Sequence, residues 1–164
     1  MLIFGHLGFG AVMAAPFKKI RFGWPLFLGT VLPDLIDKPI YFLSEQTIPS
    51  TRSFAHTLVF IVLLTGLSLW RKSPSWWALT FGAVTHILLD NIADAYLFED
   101  SFLINQRIVF WPVFGWEFPD IGQITFDDQL HRLSNFYFMF SEFLGFVFVA
   151  TIGFLVWRRR KLKS

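Results

Sequence analysis

The chain alternates between long apolar segments and short polar or basic connections. Apolar segments can be marked at about 2–17, 24–37, 54–70, 76–93 and 134–157. As a helix, the third is roughly 26 Å long at about 1.5 Å per residue, just enough to cross a bilayer core. The first two are shorter and carry polar residues, so we expect them to be tilted or broken and shielded by neighbours. The pattern predicts an all-α, multi-pass membrane bundle of about five segments.

Composition supports a membrane protein. Of the 164 residues, 54% are hydrophobic, 20% aromatic and only 16% charged, which is too apolar for an ordinary soluble domain. We expect one integral membrane domain over 1–164, with 94–133 forming a long outer loop or lid. There is no cysteine, so any metal must be held by nitrogen and oxygen. No cleavable signal peptide is expected, because a basic leader is missing and His6 interrupts the first apolar run.

The basic residues orient the predicted bundle. Ten of the 14 lie in the connections 18–21 and 71–72 and in the tail 158–163. Because cytoplasmic connections are enriched in Lys and Arg, five spans place the N-terminus outside and the C-terminus in the cytoplasm. Beside a terminal apolar span, the basic tail is an anchor on anionic lipid rather than a nucleic-acid contact.

Ionisable residues within the apolar segments are the main indication of function. Each costs roughly 2.5 to 3.5 kcal/mol on insertion scales, so it is retained mainly where it pairs, lines a polar cavity or binds an ion. With the predicted orientation, six such residues from four segments lie at one outer level, and together they predict a metal site: His6, Asp34, Asp37, His56, His86 and Asp90. Imidazole and carboxylate suit one or two divalent ions, zinc first, with manganese or iron as alternatives.

The spacing within two segments suits a shared site. His86 and Asp90 are four residues apart and Asp34 and Asp37 three apart, so each pair shares a helical face. Taken alone, the first pair would be a packed, hydrogen-bonded couple and the second a helix terminus with a capping carboxylate. It is the alignment of all six residues that favours metal binding.

Three further polar residues have simpler interpretations. Arg52 is an interfacial anchor unless it faces the site. Glu142, eight residues into the last segment, could pair with Arg132 or Arg107. His131 is interpreted as an interfacial residue rather than a ligand.

The motifs also carry a family resemblance. Five short stretches, in order along the chain, resemble the motif series of the YdjM-type membrane-bound metal-dependent hydrolases, also described as LexA-binding, inner-membrane-associated hydrolases: HLGFG at 6–10, GTVLPDLID at 29–37, RSFAHT at 52–57, THILLD at 85–90 and FWP at 110–112. The resemblance implies a multi-pass protein of a prokaryotic inner membrane, with its His and Asp residues forming a metal-dependent hydrolase site. Lys38 stands where that pattern often has His, and Ser53 where it often has Gly.

We therefore expect metal-dependent hydrolysis of a lipid or lipid-linked ester, preferably a phosphoester, at the extracytoplasmic leaflet. Arg52 is the expected phosphate clamp, and whichever of Asp34, Asp37 and Asp90 is not a ligand is the general base. The expected partner is a membrane lipid or lipid-linked substrate, and no nucleic acid. Two alternatives stay open: a metal or proton transport protein, and a non-catalytic scaffold with a structural metal.

Overall fold

The computed structural model describes residues 3–16, 23–44, 50–97, 99–119 and 135–162. Within these ranges all regular secondary structure is helical and no strand occurs, which confirms the predicted all-α class. The helices are α1 (Ile3–Ala14), α2 (Trp24–Leu43), α3 (Leu58–Arg71), α4 (Pro74–Leu97), α5 (Glu99–Val109) and α6 (Phe136–Lys161). A short 3-10 turn, Phe54–His56, precedes α3.

The second and fourth apolar segments extend further as helices than predicted. The pattern placed their ends at 37 and 93, whereas α2 continues to Leu43 and α4 to Leu97. In α2 the extension includes Lys38, whose Nζ lies 2.6 Å from Asp34 Oδ2 one turn earlier. Such an i,i+4 ion pair stabilises a helix although both residues are polar. Hydrophobicity alone therefore underestimated both helices.

The predicted outer loop, 94–133, is partly helical. Its first residues complete α4, and α5 follows almost at once. Two hydrogen bonds fix α5 against α4: Asn105 Nδ2 donates to Asp94 Oδ2 over 2.7 Å, and Gln106 Nε2 donates to Asn91 Oδ1, also over 2.7 Å. Residues 120–134 of the predicted loop, with His131, and the basic connection 18–21 lie outside the described residues.

One described helix is long and apolar enough to cross a membrane: α6, over Phe136–Leu155. Only 17% of its most apolar window is buried, so the helix is not the core of a soluble domain. Helices α1 and α3 are apolar but have 12 and 14 residues. They reach about 18 and 21 Å, short of the ~30 Å hydrocarbon core. The five-span topology and its orientation stay predictions.

Close glycine contacts bring the site-bearing helices α2 and α4 together. A Cβ added at Gly29 would lie 2.1 Å from the carbonyl oxygen of Leu79, and one at Gly82 would lie 2.4 Å from that of Leu26. The backbones of α2 and α4 are therefore in contact at Gly29 and Gly82, because neither glycine has a side chain to hold the helices apart. Small residues at helix crossings are typical of membrane proteins, where van der Waals contact drives helix association.

Helix α1 packs on α6 through a similar glycine contact and a half-buried carboxylate. A Cβ at Gly8 would lie 2.3 Å from the Gly145 carbonyl oxygen. Glu142 accepts hydrogen bonds from the backbone N–H groups of Phe4 (2.8 Å) and Gly5 (2.9 Å). Both donors lie in the first turn of α1, where N–H groups have no partner within the helix. Glu142 therefore caps α1. From the sequence, Arg132 or Arg107 was considered as its partner, and this role was not anticipated.

Candidate metal centre

The fold gathers all six predicted site residues into one cluster. Helix α1 contributes one residue, α2 two, the 3-10 turn one and α4 two, which are respectively His6, Asp34, Asp37, His56, His86 and Asp90. All but Asp34 are buried. Residues 84 positions apart in sequence make direct contact, as His6 Nε2 and Asp90 Oδ1 do at 3.1 Å.

Two of the histidines have their Nδ1 atoms committed to acceptors. His56 Nδ1 lies 2.7 Å from Asp37 Oδ2, and His86 Nδ1 lies 2.7 Å from the backbone carbonyl oxygen of Thr30. A carbonyl or ionised carboxylate can only accept, so each Nδ1 carries the proton. In the neutral rings each Nε2 then presents a lone pair. A carboxylate or carbonyl behind the far nitrogen is the usual support of a metal-binding histidine.

These two lone pairs face each other. His56 Nε2 and His86 Nε2 are 3.3 Å apart. A hydrogen bond between them would require one ring to carry protons on both nitrogens, since both Nδ1 atoms are already donors. With both rings neutral, the two lone pairs oppose each other, and a cation between them would convert this repulsion into coordination.

Two carboxylate oxygens flank the imidazole pair. Asp34 Oδ1 lies 3.6 Å from His56 Nε2 and 3.8 Å from His86 Nε2. Asp90 Oδ2 lies 4.0 and 3.7 Å from the same two atoms. Two ligands of a tetrahedral zinc ion are separated by about 3.3 Å, since each bond is about 2.0–2.1 Å long. The donor atoms thus have the chemistry and nearly the spacing that a divalent ion requires.

Two groups of three residues have ligand atoms close enough to hold an ion. One comprises Asp34, His56 and His86, and the other His6, His86 and Asp90. His86 belongs to both. The His6 ring stacks on the His86 ring with centroids 4.1 Å apart. The cluster therefore has a donor set that fits a metal ion.

Asp37 is occupied on both oxygens by the segment before α3. Oδ2 accepts from the Ser53 backbone N–H at 2.7 Å as well as facing His56, and Oδ1 accepts from the Ala55 N–H at 3.1 Å. The carboxylate therefore ties the 3-10 turn to α2 and orients the imidazole. That Asp37 is itself a metal ligand or the general base stays a prediction, and its contacts in the structure are those of a support for His56.

Arg52 lies beside Asp90 and is not directed to an open space. Its Nη2 is 2.9 Å from Asp90 Oδ2, and its Nη1 donates to Asp94 Oδ2. Burial disfavours the charged guanidinium, but the carboxylates of Asp90 and Asp94 outweigh that effect and raise the pKa of Arg52 above its ordinary value. Both arms of the guanidinium fork therefore face protein carboxylates. In the expected role they would clamp a phosphate instead.

Among the described residues, the cluster is most exposed at Asp34, and we call this its exposed edge. The side chains of His6, His56, His86, Asp37 and Asp90 are at most 5% exposed, whereas that of Asp34 is 23% exposed. Next to it lies Lys38, with a side chain that is 34% exposed. The approach from outside therefore passes Asp34 and Lys38.

Sequence reasoning missed two members of the site. Asp94 was placed at the start of the outer loop or lid, yet it is paired with Arg52 and Asn105. Its spacing could have indicated this, because positions 86, 90 and 94 share one helical face. The carbonyl of Thr30 had no sequence signal, since any residue carries one.

The fold and the site define a helical membrane protein with a buried cluster of histidine and aspartate side chains that could bind metal. The family described as YdjM inner membrane protein matches residues 1–162, and the chain belongs to it. The predicted family resemblance is thus confirmed. No curated protein and no solved structure matches the chain.

Proposed function

We propose that this protein is a metal-dependent hydrolase of the inner membrane that acts on a lipid or lipid-linked phosphoester. The observation that carries the proposal is the pair of opposed Nε2 atoms of His56 and His86, 3.3 Å apart, with Asp34 Oδ1 within 3.8 Å of both. Two imidazoles and one carboxylate leave coordination positions open, as catalytic sites of zinc and non-haem iron do.

The chain's residues divide into ligands and supports. Asp34, His56 and His86 hold the ion, with Asp37 and the Thr30 carbonyl fixing the two rings. His6 contacts Asp90 and stacks on His86, so it completes the wall of the site. When bound, a divalent ion acidifies water and polarises a phosphoryl or carbonyl oxygen.

Asp90 is the proposed general base. Its Oδ2 faces both imidazoles from 3.7 and 4.0 Å, close to the position where a proton would be removed. Arg52 holds this oxygen from the other side, and Asp94 holds Arg52. Arg52 is therefore a positioning residue for the base.

A single ion is favoured over two. Both possible ligand groups include His86, and its Nδ1 is committed to the Thr30 carbonyl. The remaining Nε2 lone pair can coordinate one ion only. We assign that ion to the group of Asp34, His56 and His86, because Asp34 lies at the exposed edge of the cluster.

Hydrolysis is preferred to transport because, within the described part of the chain, the ionisable cluster ends at His86. On the side towards the start of α4, the buried polar side chains described are hydroxyls: Thr85, Thr80, Thr30 and Ser68. A carrier needs ion access from both faces, and hydroxyls alone do not hold a divalent ion strongly. The proposed topology, five spans with the site in the extracytoplasmic leaflet, agrees with a headgroup substrate.

The test combines metal content with turnover. Wild type and variants, purified in detergent, are compared by elemental analysis and by release of phosphate or headgroup from a panel of lipids with added zinc or manganese. His86→Ala should lose bound metal, whereas Asp90→Asn should keep it and slow turnover by about 100- to 10,000-fold. Thr65→Ala is the control and should match wild type, because the Thr65 hydroxyl donates to the Ile61 carbonyl oxygen within α3.

Three results would contradict the proposal. Equal metal content in wild type and His86→Ala would remove the metal site. Metal-loaded wild type that hydrolyses no lipid or ester in the panel would favour a scaffold with a structural ion. Metal-ion flux into proteoliposomes without turnover would favour a carrier.

A further inference from the structure

Lys38 occupies a position at the candidate site that no role above uses. Its Nζ lies 2.6 Å from Asp34 Oδ2, while the other oxygen of Asp34 faces the imidazoles. One carboxylate thus bridges the ammonium group and the proposed metal position. An anion that approached the metal from this edge would meet the ammonium group at the same time.

The two cations of the site differ in what they can still bind. Arg52 places both guanidinium arms on carboxylates, and its side chain is 18% exposed. Lys38 shows one carboxylate partner among the described residues, and its side chain is 34% exposed. An ammonium group has three donors, so two remain after the bond to Asp34.

The partial exposure of Lys38 also indicates where this edge of the site lies in the membrane. A lysine ammonium exposed to hydrocarbon is costly, so the partly exposed Lys38 side chain should place its ammonium group at water or headgroups. The edge at Asp34 and Lys38 would then open at headgroup depth, where lipid phosphates lie. Phosphate oxygens are strong acceptors for an ammonium group.

We propose that Lys38 is the anion-recognition residue of this site and binds a phosphate group of the substrate. The inference rests on the proposed function, since it assumes an ion held beside Asp34. The phosphate contact that was expected of Arg52 is thereby assigned to Lys38. In the sequence, Lys38 was notable only because it differs from the family pattern. The ligand class is a phosphate monoester or diester, free or on a lipid headgroup.

The test measures binding and does not require catalysis. Zinc-loaded full-length protein in detergent is titrated with inorganic phosphate, and in a second arm with micelles that contain phosphatidic acid; bound phosphorus is followed by 31P NMR. Lys38→Met should weaken binding about tenfold, the loss expected for one charge-assisted hydrogen bond, and Lys38→Arg should retain most of it. Lys72→Met removes the same charge at the exposed end of α3 and should bind as wild type does.

The arms separate the source of the phosphate. A Lys38 effect in both arms indicates that the phosphate group itself is recognised, and an effect only with phosphatidic acid indicates a lipid headgroup. Equal binding by wild type and Lys38→Met in both arms, with zinc retained, would overturn the role of Lys38 and leave the hydrolase proposal intact. Failure of the proposed function would appear differently, as zinc-loaded wild type without turnover of any lipid or ester.

Discussion

A methyl group at the crossing of α2 and α4 should damage the metal centre from a distance. In Gly29→Ala the new Cβ would lie 2.1 Å from the Leu79 carbonyl oxygen. Real Cβ contacts are essentially never below 3.0 Å, so the helices must separate by roughly 1 Å. Overpacking of this kind costs about 1–3 kcal/mol of stability. The site should suffer as well, because its donors come from both helices.

The loss of metal affinity in Gly29→Ala can be estimated from one hydrogen bond. His86 Nδ1 is 2.7 Å from the carbonyl of Thr30, the residue next to Gly29. A separation of roughly 1 Å takes that distance past the hydrogen-bond limit, so the ring loses its orientation. Loss of such a supporting contact typically weakens metal binding about 10- to 100-fold. Competition with a chromophoric zinc chelator, together with a thermal melt, measures both effects.

Gly66→Ala is the matched control. Gly66 also lies within a helix, but a Cβ there has no atom within 4 Å. Helix propensity predicts a gain of about 1 kcal/mol in stability and no change in zinc affinity. If Gly29→Ala binds zinc and melts as Gly66→Ala does, the close crossing does not support the site and the reasoning is refuted.

Three further outcomes are expected. Asp37→Asn should keep bound metal but weaken its affinity about 10- to 100-fold, because an amide supports His56 less well than a carboxylate; unchanged affinity in the chelator assay would exclude this role. Glu142→Leu should lose about 1–3 kcal/mol in a thermal melt, since two N–H groups in the first turn of α1 lose their acceptor; an unaltered melt would contradict the cap. A cysteine at Ser101 should react with an impermeant thiol reagent in intact cells and one at Ser164 should not; the opposite labelling would reverse the topology.

The local chemistry of this protein could be predicted from its sequence. Apolar runs indicated helices because burial of apolar side chains depends on composition and period, which the chain displays directly. His86 and Asp90 could be identified as site residues for a related reason, since an ionisable group in an apolar helix needs a partner wherever the helix packs. The resemblance of five motifs to one family also needed no coordinates.

The assignment of partners depended on tertiary structure. His6 and Asp90 are 84 residues apart, and no helical spacing brings them together. Arg52 was expected to face a phosphate, yet the fold places two carboxylates against it. Sequence spacing specifies neighbours within one helix only. The crossing of α2 and α4 at Gly29 decides which atoms meet between helices, and so which carboxylates face the open edge of the site and which only support it.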